Sequence, residues 1–490
     1  MFCKQIVPEP FLLSVEKSLE FIVENISQQK DEGIPENIAG CAAECFRCLR
    51  QACALNKEVQ ENLSTHPNIL AQTKAIIEKS ISFDPHSDKD NVLKCATQFL
   101  GNACVSNAAN QKVAWKTFLQ LFRSLLLHPD SKVCDYTCML VHTCLSQMAK
   151  NDQTLLTNAA VQDIVLACIQ AAAQRDVEWG LYVLEDMLKN DLFLSKLYSR
   201  MGQKERLLLL EVILAEMNEL PTCADANTKN QEVTTESENE NQQKMDPQGD
   251  KSDGEGGLSP SSENDREATT SLAVSTGNLQ FIAEEVKREC NLLLEIDKSE
   301  ATGQEVLETQ MLEALVITKE LETLGIAAQH KAIYPGIQED SDLLCCAVNL
   351  LRSITEMGKC GHSVFKREEK ASAEDSVDPH HPVYGLKKDL IRLIANMAYK
   401  HRGNQDTVRS LDGISLLLDL TMIDTRNPFI TQWVVLAIRN LVEGNRENRD
   451  VLSGMSLQGM AGHMAQLREV GVHTELKGGK IVVKPVERNK

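Results

Sequence analysis

Apolar residues recur at i, i+3 and i+4 along most of this chain, and at three places the stripe carries an asparagine at the same point. The windows are FLGNAC (Phe99 to Cys104), LIANMA (Leu393 to Ala398) and AIRNLV (Ala437 to Val442), with Asn102, Asn396 and Asn440 as the polar positions. Eight residues later comes a second asparagine, Asn110, Asn404 or Asn448, opening NQKV, NQDTV and NRDVL. A polar amide at the head of a new periodic run predicts a helix N-cap. The two downstream copies lie 44 residues apart, inside the roughly 40–47 residue period of two- and three-helix repeats. The pattern therefore predicts an all-α fold, an armadillo/HEAT-like right-handed helical solenoid.

The same periodicity predicts helices over 135–150, 159–174, 178–199 and 203–219, with breaks at Asn151-Asp152, Gln174-Arg175 and Met201-Gly202. Upstream, LRQAC (Leu49 to Cys53) aligns with LGNAC (Leu100 to Cys104), with Gln51 at the asparagine position and a tighter turn at Asn56. After Pro221 the pattern stops. From Thr222 to Thr276 there are twelve Asp or Glu against four Lys or Arg, a net of −8, and such a stretch cannot bury enough apolar surface to offset its ordering entropy. It reads as a disordered acidic insert between two solenoid arms. Apolar periodicity resumes in Leu279 to Ile296, Gln304 to Ile326 and Asp342 to Glu356, and a short strand is predicted at Lys480 to Lys484. The expected layout is helical repeats over 1–221, the insert over 222–277, helical repeats over 278–357, an irregular loop over 358–382, a C-terminal repeat block over 383–470 and a tail over 471–490.

Composition narrows the function classes. Aromatic residues make up only 4% of 490 residues, as stacked amphipathic helices allow. A formal charge of −19 disfavours a nucleic-acid partner, because phosphate binding needs a concentrated cationic face. No apolar run is long enough to span a bilayer and no signal peptide or prenylation box is seen, so a cytoplasmic protein without membrane insertion is expected. The sixteen cysteines then read as reduced thiols. Cys41, Cys45 and Cys48, like Cys134, Cys138 and Cys144, fall at helical spacing and are assigned to the core. Cys360, His362, His380 and His381 lack a zinc spacing, so neither metal nor cofactor is expected.

The clearest text is the block from Val383 to Met455. Leu411-Asp412-Gly413-Ile414 supplies a glycine-broken turn, and Asn427-Pro428 reads as a helix start with proline at its first position. These residues, above all NPFITQWVVLAIRNLVEGNRENR, resemble the C-terminal domain of the ataxin-10 family, and the layout of helical repeats, acidic insert and terminal block is similar as well. The resemblance implies a non-enzymatic armadillo-type scaffold linked to neuronal survival and neurite outgrowth, signalling and protein glycosylation, and cytokinesis. It also implies a perinuclear, centrosomal, basal-body or midbody location, with signalling or glycosylation enzymes and cell-division proteins as partners.

The residues themselves suggest how such a scaffold binds. In an armadillo groove an amide both donates to and accepts from an extended peptide. Asn102, Asn396 and Asn440 hold that position, and the alternative is that they bond neighbouring helices. Arg392 and Arg439 are candidates for carboxylates or phosphates. Trp433, seven before Asn440, reads first as core and second as a groove residue. Ser259 and Ser261, around Pro260 in the insert, are candidate phosphorylation sites. No G-x-x-x-x-G-K-[ST], H-E-x-x-H or G-x-S-x-G occurs, so no enzyme is expected. The competing reading is a structural assembly factor that self-associates through its outer helices or last cap.

Overall fold

A computed structural model describes residues 8–28, 34–81, 87–151, 154–175, 177–220, 273–297, 304–360, 363–368, 378–455, 472–477 and 480–485. The first half contains α1 (Pro8–Gln28), α2 (Glu36–Leu55), α3 (Lys57–Asn62), α4 (Pro67–Ile81), α5 (Ser87–Cys104), α6 (Ala108–Leu126), α7 (Ser131–Asn151), α8 (Ala159–Arg175), α9 (Glu178–Met187), α10 (Phe193–Leu197) and α11 (Gln203–Asn218). Then come α12 (Thr276–Glu289), α13 (Leu292–Glu295), α14 (Gln304–Gln329), α15 (Pro335–Glu339), α16 (Ser341–Met357), α17 (Leu386–Ala398), α18 (Arg402–Ser410), α19 (Gly413–Asp419), α20 (Ile430–Val442) and α21 (Arg446–Gly454). The fold is an all-α helical solenoid, closed by a hairpin of β1 (Val472–Lys477) and β2 (Lys480–Pro485) that pair antiparallel from Val472 opposite Pro485 to Lys477 opposite Lys480. The expected insert over 222–277 lies almost wholly outside the described residues, along with Ser259 and Ser261.

One helix of each repeat packs on its counterpart in the next, giving a row α2, α5, α7, α9 and, beyond it, a row α11, α14, α17, α20. Apolar side chains interlock along these rows. Phe46 and Phe99 stack with ring centroids 6.2 Å apart across α2 and α5, and Leu390, Ile394, Ala437 and Leu441 are buried where α17 meets α20. Each such fully buried side chain contributes roughly 1.5–3 kcal/mol of hydrophobic stabilisation. Cys134, Cys138 and Cys144 serve as core residues. Cys41 and Cys48 do not: they are exposed and Cys45 is half-buried, because α2 turns Ala39, Ala42, Ala43, Phe46 and Leu49 inward and leaves the cysteine face outside.

Three predicted elements are corrected by tertiary contacts. The helix expected over 178–199 stops at Met187 and restarts at Phe193, since the carbonyls of Leu188 and Asn190 are taken by Asn278 from α12. Asn427-Pro428 does not begin a helix; α20 starts at Ile430 behind the left-handed Phe429. Asn427 Oδ1 instead accepts from the N–H groups of Lys387 and Lys388 at 2.9 and 3.2 Å, capping α17 one repeat earlier. In the turn before α19 the left-handed residue is Asp412, not Gly413. Gly413 is required for space, as a Cβ there would sit 2.6 Å from Val408 Cγ1 and 2.9 Å from the Val408 carbonyl oxygen.

Gly180 presents the same close approach between α8 and α9, with Ala172 Cβ and the Cys168 carbonyl oxygen each 2.9 Å from a built Cβ. Gly180→Ala is therefore expected to destabilise by about 1–3 kcal/mol through overpacking, measured as a lower urea midpoint. An unchanged midpoint would mean the two helices separate freely there.

Candidate functional site: an amide ladder and a charged ribbon

The recurring asparagines make one repeated hydrogen-bond pattern. Asn102 Nδ2 donates to the carbonyl of Arg50 at 3.1 Å, Asn396 Nδ2 to that of Gly325 at 2.8 Å, and Asn440 Nδ2 to that of Ala395 at 2.9 Å. The acceptors lie in α2, α14 and α17, each the long helix of the preceding repeat. The amide donor predicted to face a peptide is thus engaged inside the stack, with Asn440 only 3% exposed.

The second asparagine is not the N-cap. It stands at the third helical position, and its N–H donates to the side chain three residues earlier, Asn107, His401 or Asn445, at 3.0, 3.1 and 3.0 Å. Its own amide closes the joint. Asn110 Nδ2 donates to Ala103 and Gln60 carbonyls at 2.8 and 2.8 Å, Asn404 to Met397 and Gln338 at 2.8 and 2.7 Å, and Asn448 to Leu441 and Gln405 at 2.8 and 3.1 Å. A glutamine completes each rung: Gln60, Gln338 and Gln405 donate to the carbonyls of Asn102, Asn396 and Asn440 at 2.7, 3.4 and 2.9 Å. Orphan carbonyls at a helix end must find donors when buried, and these amides supply them.

A fourth joint ties α9 and α10 to α12, across the stretch that follows Leu220 in the sequence. Asn278, at the third position of α12 behind the Ser275 cap, donates to Leu188 and Asn190 carbonyls at 2.9 and 3.0 Å and accepts from the Leu194 N–H at 3.0 Å. The Ser275 N–H also donates to the Leu188 carbonyl at 2.9 Å. Beside it, Tyr198 donates its hydroxyl to Glu320 of α14, and the Arg206 guanidinium lies 4.4 Å from the centre of the Tyr198 ring. Burial pushes the Glu320 carboxyl up to about 8, reinforced by Glu289 and Glu285 and opposed by the Tyr198 hydrogen bond. A polar cavity of about 250 Å³ opens next to this joint, lined by Gln203, Arg206, Glu289, Leu292, Glu313 and Val316.

Arg392 is spent within the chain as well. Its guanidinium donates to the Glu322 carbonyl at 3.1 Å, pairs with Asp389 at 3.0 Å and lies 5.8 Å from the centre of the Trp433 ring. With Lys319–Glu322 at 2.8 Å and Lys388–Asp389 at 3.2 Å, this makes a charged ribbon across α14 and α17 that ends on Trp433 of α20. Burial pushes Asp389 up against the pull of Arg392 and Lys388, whereas Lys319 and Arg392 outweigh burial at Glu322 and hold it low. The structure thus brings Arg392 and Trp433 together and puts Asn396 and Asn440 in adjacent joints, while Asn102 belongs to a distant one. Arg439 is exposed and has no ionic partner among the described residues. The glutamines and Asn278 escaped the sequence reading, although the Asn-Gln pairs at 110–111 and 404–405 were a visible signal. No group of three or more His, Cys, Asp or Glu able to hold a metal occurs among the described residues, and His362 lies outside them.

Comparisons with known proteins bear on this arrangement. Residues 386–484 match the family model described as the spinocerebellar ataxia type 10 protein domain. Ataxin-10 of Bos taurus is 30% identical over 450 residues, covering 90% of this chain and 81% of that protein, and ataxin-10 of Xenopus tropicalis is 29% identical over 454 residues, covering 91% and 81%. The ataxin-10 homolog of Dictyostelium discoideum is similar over a shorter stretch, 39% identical over 105 residues, or 21% of this chain and 17% of that one.

Proposed function

The chain belongs to the ataxin-10 family, and from that premise we propose that it is a non-enzymatic scaffold that binds segments of partner proteins along its C-terminal repeats. The observation that carries this reading is the division of labour on α20. Asn440 is committed to the stack, while its neighbour Arg439 is left exposed, with Trp433 and the Arg392 guanidinium two turns away. Arg439 recognises a carboxylate or phosphate of the partner, and Trp433 supplies apolar area beside it. The processes proposed from the family are neuronal survival and neurite outgrowth, signalling and protein glycosylation, and cytokinesis, in the cytoplasm with perinuclear, centrosomal, basal-body and midbody pools. Among the described residues no helix is long and apolar enough to cross a membrane.

Affinity capture from cytosol tests the reading, with the intact chain compared with Arg439→Glu and Asn440→Ala. Arg439→Glu is expected to lose most captured partners with its melting unchanged, because the side chain holds nothing in the fold. Asn440→Ala is expected to lower stability by about 1–3 kcal/mol, since it leaves the buried Ala395 carbonyl without this donor. A partner list unchanged by Arg439→Glu would end the proposal for this face. A second reading, assembly through self-association, is favoured by Ile423, Phe429 and Val435, which are 64%, 70% and 62% exposed at this last described repeat. It predicts a solution mass that rises with concentration and falls to that of one chain in Phe429→Ser.

A further inference from the structure

Two thiols from different helices meet on the far side of the insert. Cys290 is the C-cap residue of α12, Cys346 lies in the first half of α16, and their sulfurs are 3.1 Å apart. Two other thiol pairs, Cys104–Cys144 and Cys138–Cys168, are also hydrogen-bonded. Cys53, Cys104, Cys138, Cys144 and Cys168 are at most 1% exposed, and burial drives the Cys53 thiol up to about 12, so they behave as inert core. Cys41, Cys48 and Cys360 are exposed; Cys41 and Cys48 flank Cys45 on α2 and act on its thiol through space, without a hydrogen bond to it. Among the described residues, the hydrogen-bonded pair Cys290 and Cys346 combines a sulfur–sulfur contact with partial access, because Cys346 is half-exposed.

We propose that Cys290 and Cys346 form a reversible intramolecular disulfide when the protein meets a peroxide, making the α12–α16 contact a redox modification site. This stands apart from partner binding on α20 and does not rest on it. The sulfurs need to close by about 1 Å to reach bonding distance. Cys290 stands where α12 meets α13, its N–H held by the Val286 carbonyl at 2.9 Å and its carbonyl by the Leu293 N–H at 3.2 Å, so the closure falls to rotation of the two side chains. The thiolate is the reacting form, and here the hydrogen bond between the two sulfurs lowers the Cys290 thiol against the effect of burial. The hydrogen bond to Cys290 and burial push the Cys346 thiol well up, with the Lys287 ammonium opposing them, so Cys290 is the attacking thiol and Cys346 the second to react.

The chemistry balances with peroxide as the oxidant. The Cys290 thiolate attacks one peroxide oxygen, the O–O bond breaks, and a sulfenic acid forms while hydroxide takes up a proton to leave as water. Cys346 then attacks the Cys290 sulfur, the S–O bond breaks, and the oxygen departs with a proton as a second water. Two thiols have lost two electrons and one peroxide has become two waters. The link would close a loop from α12 through α14 to α16, which constrains the unfolded chain.

The test uses the full chain, reduced and desalted, in a background where Cys41, Cys48 and Cys360 are serine. Hydrogen peroxide is titrated, remaining thiols are alkylated, and non-reducing digests are read by mass spectrometry. The expected result is a Cys290–Cys346 peptide that forms before any other cross-link, disappears on adding dithiothreitol, and accompanies a melting temperature raised by several degrees. Neither Cys290→Ser nor Cys346→Ser should show the cross-link or the thermal shift, while both keep the helical circular dichroism of the parent. Sulfinic acid on Cys290 without a cross-link would overturn the proposal. So would full alkylation of both thiols after a peroxide dose that oxidises Cys48 in the otherwise unsubstituted chain.

Discussion

Asn278→Ala is expected to cost about 3 kcal/mol, the largest loss from any single amide in the ladder. Its side chain is fully buried and serves three backbone groups at once, the carbonyls of Leu188 and Asn190 and the N–H of Leu194. Removing the amide leaves the Leu194 N–H without this acceptor and takes one donor from each of the Leu188 and Asn190 carbonyls, which keep the Ser275 and Phe193 N–H groups; an unmet buried group costs roughly 1–3 kcal/mol before relaxation. The damage should be local. Hydrogen exchange at Leu194 and at the first turn of α12 should quicken well beyond that in α2 or α5. Asn278→Asp separates hydrogen bonding from volume: it keeps an acceptor for Leu194 but turns a second acceptor toward the Leu188 and Asn190 carbonyls. It should be at least as harmful as alanine at pH 7 and partly relieved in acid. A urea midpoint for Asn278→Ala within error of the parent would show that this joint carries no stability.

Raising the pH should weaken the same region through Glu320. Its carboxyl is raised to about 8 in the folded chain from an ordinary value near 4.5, so the folded state holds this proton more tightly than the unfolded state does. The stabilising contribution is complete below about pH 4.5 and is lost as pH rises toward 8. At roughly 1.4 kcal/mol per unit, the loss by pH 7 is on the order of 3 kcal/mol. Glu320→Gln keeps an acceptor for the Tyr198 hydroxyl and removes the titration. The variant should therefore unfold at higher urea than the parent at pH 8, by an amount that shrinks toward pH 5. Glu285, whose carboxyl is also raised by burial, adds to the slope, so the comparison of parent and variant is the decisive quantity. Parallel pH profiles for the two proteins would remove Glu320 from the account.

The repeat was legible because asparagine is conspicuous on an apolar stripe, and the positions of Asn396 and Asn440 led directly to the stacking of α17 on α20. Its chemistry was less legible. The helix-start reading of Asn404 and Asn448 was displaced by three residues because capping belongs to His401 and Asn445, and histidine is not a residue that local rules single out as a cap. The break at Leu188 could not be read locally, since its cause, Asn278, lies some ninety residues downstream. Asn427 failed for the same reason: next to Pro428 it looks like the start of its own helix, yet it caps the helix of another repeat. Spacing places Arg392 four residues before Asn396 and Trp433 seven before Asn440, and only the stacking of α17 on α20 shows that they form a pair.

The joint at Asn278 also changes what the acidic stretch is. The helices on its two sides share one hydrogen-bonded seam, from Ser275 and Asn278 to Leu188 and Asn190, and from Tyr198 to Glu320. The insert therefore interrupts a repeat rather than linking two independent bodies. Cleavage between Leu220 and Ser275 is expected to leave two fragments that co-elute as one particle in gel filtration, and their separation would show that the seam does not hold them. Conversely, a fragment ending at Leu220 is half of an interface, with the Leu188 and Asn190 carbonyls deprived of the Asn278 amide, and it is expected to behave as a sticky, incomplete piece rather than as a domain.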